Sequence, residues 1–103
     1  MKYGIIRTDT ADALIRENIL YIAENFGNSV ALKKLSELEE AILSLGDNPY
    51  IGTTPKYNVL KRQGYMVLIL EKNLVFYKIK EKIVTVYAVL GQIQNYLDII
   101  RGL

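Results

Sequence analysis

Through the first half of the chain, apolar residues recur in steps of three and four. Leu14, Ile15, Ile19, Ile22 and Phe26 form one stripe of a helix over residues 11–26, and Leu35, Leu38, Ile42 and Leu45 form one of a second helix over residues 29–45. Gly27-Asn28 stops the first helix, and Gly46-Asp47-Asn48-Pro49 breaks the second. So short a connection predicts an antiparallel helical hairpin. Ahead of it, Tyr3-Gly4-Ile5-Ile6-Arg7 reads as a short strand running into the polar helix cap Thr8-Asp9-Thr10.

The period changes after a loop over residues 47–56 that holds both prolines and Gly52. Four apolar or alternating runs follow, at residues 57–62, 65–71, 74–80 and 83–90, and each is predicted as a strand. Their separators, Gln63-Gly64, Lys72-Asn73 and Glu81-Lys82, are short enough to force antiparallel hairpins. The stretch 66–70 is apolar throughout, which suits a central strand, whereas 74–80 alternates. Val75, Tyr77 and Ile79 take one face there and Lys78 and Lys80 the other. Beyond Gly91, Ile93, Leu97 and Ile100 mark the apolar stripe of a short final helix. The order β-α-α-β-β-β-β-α predicts one α+β domain over residues 1–103, with the hairpin of residues 11–45 packed on one face of a mainly antiparallel sheet. Ile15, Ile22, Leu38, Ile42, Leu68 and Val86 are expected to be buried.

Composition narrows the chemistry more than the fold. Half of the 103 residues are hydrophobic, with only seven Gly and two Pro, so the chain has the apolar area that an ordered core requires. It has no Cys and no His. That removes disulfides, thiolate nucleophiles, the usual neutral-pH base and the commonest metal ligand, and with them serine-histidine triads and zinc hydrolase chemistry. No cofactor or metal is expected. No secretory hydrophobic region follows Met1-Lys2-Tyr3, and no apolar run approaches the roughly 20 residues that cross a bilayer, so a cytoplasmic, membrane-free protein is expected. The net charge of +2 conceals an asymmetry: residues 1–55 carry five basic and eight acidic side chains, and the remainder eight and three. The second part therefore offers a mildly basic face, short of a dedicated nucleic-acid-binding composition.

The order of elements and several local strings together resemble the RelE/ParE superfamily, the toxins of type II toxin-antitoxin modules. The strings are the helix-one pattern from Ile19 to Gly27, the Leu45 to Gly52 loop with its Asn48-Pro49 pair, Gly64-Tyr65, Leu74-Val75-Phe76-Tyr77, and Val89-Leu90 followed by Asn95-Tyr96. The likeness spans essentially the whole chain. It implies a cognate antitoxin that covers apolar surface on the hairpin or sheet, and a cellular target that is either DNA gyrase or the ribosome with its mRNA.

Ribosome-dependent RNases of the RelE branch use clustered cations, His or Tyr to deprotonate a ribose hydroxyl and steady the charge on phosphate. Here Met66 follows Gly64-Tyr65 where those toxins often carry Arg, and Gly91-Gln92-Ile93-Gln94 stands where basic residues or His are common. The candidates that survive are Lys61, Arg62, Lys78, Lys80 and, by its family position, Tyr96. Each also has an ordinary explanation: Lys61 and Arg62 as solvated charges beside a turn, Lys78 and Lys80 as the wet face of a strand, and Tyr96 as part of the final helix's apolar stripe. The resemblance therefore leans to the ParE branch, whose hairpin is long and whose toxins poison gyrase without the RNase residues. RelE-like cleavage and a degenerate, non-toxic antitoxin-binding module are the alternatives.

Overall fold

The computed structural model describes residues 2–91. Strand β1 (Gly4–Arg7) leads through Thr8 into helix α1 (Asp9–Phe26). The Thr8 hydroxyl accepts the Ala11 N–H at 3.1 Å, and Asp9 and Asp12 sit in the first turn, where carboxylates favour the positive end of the helix dipole. At Gly27 the backbone takes φ +95°, a conformation that costs glycine nothing, so a single residue ends α1 and opens α2 (Asn28–Ser44). Arg7 pairs with Asp12 at 3.0 Å and reaches Glu39 at 3.9 Å, linking β1 to both helices.

A short helix, α3 (Asn58–Arg62), precedes strands β2 (Met66–Ile69), β3 (Asn73–Lys80) and β4 (Ile83–Gly91). The sheet order is β1-β4-β3-β2, so β2, expected to be central from its unbroken apolar run, is an edge strand. The last three strands form the expected antiparallel meander, and β1 closes the other edge by pairing in parallel with β4. Residues 57–62, expected as a strand, are instead α3 with its N-cap at Tyr57. A segment this short has no room to express a period, and its one buried side chain, Leu60, satisfies either geometry. The final helix expected around Ile93, Leu97 and Ile100 lies outside the described residues.

Two cores flank the sheet. Under the hairpin, Ala11, Ile15, Leu38, Ile42 and Leu45 meet Leu68, Val75, Tyr77, Val84, Val86 and Val89. The second gathers Leu14, Leu60, Tyr65, Val67, Phe76, Ala88 and Leu90. Five of the six residues expected inside are buried; Ile22, towards the tip of the hairpin, is only half-buried among the described residues. The loop after α2 is fastened from below. Tyr77, fully buried, donates its hydroxyl to the Pro49 carbonyl at 2.8 Å and accepts the Gly52 N–H at 3.0 Å. Any side chain at position 52 would collide with that hydroxyl and with the Val67 carbonyl, 2.8 Å from where its Cβ would lie. The Leu45 to Gly52 string thus has a structural reason.

Candidate functional site

Lys78 and Lys80 lie on the α3 side of the sheet, and Lys61 and Arg62 on α3 itself. Period two puts Phe76, Lys78 and Lys80 on the face opposite Val75, Tyr77 and Ile79, and Leu60 anchors α3 to the same core as Phe76. Gly64, at φ +86°, ends α3. Its N–H bonds the Lys61 carbonyl at 3.1 Å while the Tyr65 N–H bonds that of Leu60 at 3.2 Å, a Schellman closure that swings Tyr65 back over the sheet.

Tyr87 arrives by a different device. The β3–β4 register pairs Tyr77 with Val86 but Phe76 with Ala88, leaving Tyr87 as the extra residue of a bulge. Its carbonyl accepts the Thr8 hydroxyl at 3.3 Å, so the α1 cap also secures the bulge. The Tyr65 and Tyr87 rings meet edge to face, with centroids 5.5 Å apart and planes at 82°. Between them sits Lys78, its Nζ 4.5 Å from the Tyr65 centroid and 5.2 Å from that of Tyr87. Ring faces attract a cation and hold this one in place. Burial pushes the Tyr65 phenol above its ordinary pKa, and the neighbouring Tyr87 adds to the rise. A phenol that resists ionisation is a poor proton acceptor.

The other candidates are arranged more loosely. Lys61 and Arg62 are exposed at the C-terminal end of α3, and Lys80 is exposed at the end of β3. Their side chains form no hydrogen bond or ion pair among the described residues. Tyr96, with Ile93 and Gln94, lies outside those residues. Met66 packs against the hairpin core, on the opposite face from Lys78, so a cation at that position would not join this cluster. Among the described residues no group of His, Cys, Asp and Glu can hold a metal ion, and no helix is long and apolar enough to cross a membrane. Sequence reasoning found Lys78 but missed its clasp. Counting the β2–β3 hairpin register would have placed Tyr65 beside Lys78; nothing in the sequence announces the bulge that brings in Tyr87.

The described chain is a helical hairpin over a four-stranded mixed sheet, with an aromatic clasp around Lys78 on the far face. The structure resembles that of the chromosomal ParDE toxin-antitoxin system from P. aeruginosa, with a TM-score of 0.75 at 18% identity over 87% of this chain and 96% of that one. It also resembles the RelBE2 toxin-antitoxin complex from Mycobacterium tuberculosis, with a TM-score of 0.67 at 14% identity over 89% of this chain and all of the other. No curated protein sequence matches significantly. The family model for the ParE toxin of the type II toxin-antitoxin system parDE matches residues 5–96, and the chain belongs to that family.

Proposed function

We propose that this toxin stops growth by binding DNA gyrase, without cutting RNA, and that a cognate antitoxin neutralises it. The observation that carries this reading is the state of Lys78. The cation best placed on the sheet face is engaged by two tyrosine rings, while the side chains of Lys61, Arg62 and Lys80 are exposed and form no hydrogen bond or ion pair among the described residues. Phosphoryl-transfer chemistry on RNA needs several charged groups fixed where charge develops, and loss of even one such group commonly costs about 10²- to 10³-fold in rate. The ParE family match supports a ParE-type toxin, and the ParDE and RelBE2 toxin-antitoxin complexes support a cognate antitoxin. The binding would take place in the cytoplasm, where gyrase and its DNA are found.

Purified toxin is added to a gyrase supercoiling assay and, separately, to ribosomes translating a defined message. Loss of supercoiling with the message intact is the expected result. Codon-specific cleavage that Arg62→Ala or Lys80→Ala abolishes would overturn the proposal in favour of RelE-like action. No effect in either assay and no growth defect would leave a degenerate antitoxin-binding module.

A further inference from the structure

At the base of the hairpin, the loop after α2 presents two large side chains to solvent: Tyr50 is 67% exposed and Ile51 56%. Neither belongs to a core. Beside them an open hollow of about 500 Å³ is lined by Asp47, Asn48, Pro49, Tyr50 and Ile51. Surface loops commonly keep backbone freedom, yet this one is held on both sides of the exposed pair. The buried Tyr77 hydroxyl donates to the Pro49 carbonyl at 2.8 Å just before the pair and accepts the Gly52 N–H at 3.0 Å just after it. Within that span the Ile51 N–H bonds the Asn48 carbonyl at 3.2 Å, and Thr53 exchanges two bonds with Val67, at 2.8 and 2.9 Å. The fold thus fixes Tyr50 and Ile51 in position while gaining no burial from them. Fixing a loop in advance removes ordering entropy that a flexible one would lose on binding, and an exposed tyrosine on such a loop is well suited to anchor a contact.

The surroundings select the kind of partner. Residues 47–55 contain a single charged side chain, Asp47, so the loop offers no cation to a phosphate backbone and does not suit nucleic acid. Thr53 already takes the outward N–H and C=O of Val67, within the four-residue edge strand β2. An extended peptide therefore finds no run of free backbone groups to pair with there. What fits is a folded protein whose surface has an apolar cleft for a protruding ring and a branched side chain.

We propose that this loop is the toxin's contact with its target, with Tyr50 and Ile51 entering an apolar cleft of gyrase while Tyr77 holds them in the binding conformation from beneath. The proposal rests on the reading of the chain as a gyrase-binding toxin, and it names the residues that make the contact. Tyr77, being buried, is a positioning residue.

The test is a titration of full-length toxin into a gyrase supercoiling assay. Replacing both side chains, Tyr50→Ser with Ile51→Ser, should raise the half-inhibitory concentration at least about 10-fold and leave the melting temperature within about 4 °C of wild type. Tyr77→Phe keeps both contact side chains and should weaken inhibition by about 2- to 10-fold at a temperature where it is folded. Leu32→Ser, at an exposed position on α2, serves as the surface control and should inhibit as wild type does. No inhibition by the wild type would defeat the gyrase reading itself, and this contact with it. Wild-type inhibition that the double variant retains would overturn the contact alone, and full inhibition by Tyr77→Phe would overturn the positioning role. Should the double variant not fold, photo-crosslinking decides the matter: a benzoylphenylalanine placed at position 50 of otherwise wild-type toxin becomes joined to gyrase on illumination if the loop is the contact, and does not if it is not.

Discussion

The base and the tip of the helical hairpin carry the same sequence pattern and meet different fates. At the base, Ala11, Ile15, Leu38, Ile42 and Leu45 are buried against four strands. Towards the tip the stripe continues without a break through Ile22 and Phe26, yet Ile22 is half-buried and Phe26 exposed. Amphipathic periodicity reports which face of a helix is apolar; what covers that face depends on how far the sheet extends. In helices of 18 and 17 residues, the tip's apolar side chains stay exposed among the described residues while those of the base are buried.

The largest contrast should come from paired truncations. Leu38→Ala, at a fully buried position, is expected to cost about 2–5 kcal/mol in chemical denaturation, since it opens a cavity in the main core. A cost below that range would mean that the base is not the stabilising half. Tyr77→Phe comes next, at about 1–3 kcal/mol, because it strips the Pro49 carbonyl and the Gly52 N–H of their shared partner.

The same residue gives the comparison a pH axis. Burial raises the phenols of Tyr65 and Tyr77 above their ordinary value near 10; in Tyr77 the Gly52 N–H works the other way and offsets part of the rise. In the window above that ordinary value the unfolded chain binds fewer protons than the native one, so stability is fully present below about pH 10 and declines as pH rises past it. Tyr77→Phe and Tyr65→Phe should each make that alkaline decline shallower. An unchanged slope in melting temperature against pH would show that the two phenols are not its source.

Smaller effects are expected at the edges. Thr8→Ala should lose about 1 kcal/mol as the α1 cap disappears, with a loosened bulge at Tyr87 visible as a shift in that residue's amide resonance. Phe26→Ser at the tip should stay within about 0.5 kcal/mol of wild type in the free toxin, as exposed positions do. A large loss there would place Phe26 in the free protein's core and erase the distinction between base and tip.

Much of this fold was legible wherever one period ran long enough to count. Two helices with their stop at Gly27, the meander, and the burial of Ile15, Leu38, Ile42, Leu68 and Val86 all follow from spacing. The parts that escaped depend on partners distant in the chain. The parallel pairing of β1 with β4 joins residues nearly 80 positions apart, and α3 is a helix because Leu60 docks on Phe76 and Tyr65, not because five residues declare a period. The site was legible by half: Lys78 and Lys80 stood out on the polar side of their strand, while the aromatic clasp depends on a bulge.

The most direct measurement is amide hydrogen exchange on the free toxin. Expected is protection concentrated at the base of the hairpin near Ala11, Ile15, Leu38 and Ile42, with residues 21–30 exchanging faster. Protection at the tip equal to that at the base would contradict the distinction between the two ends of the hairpin.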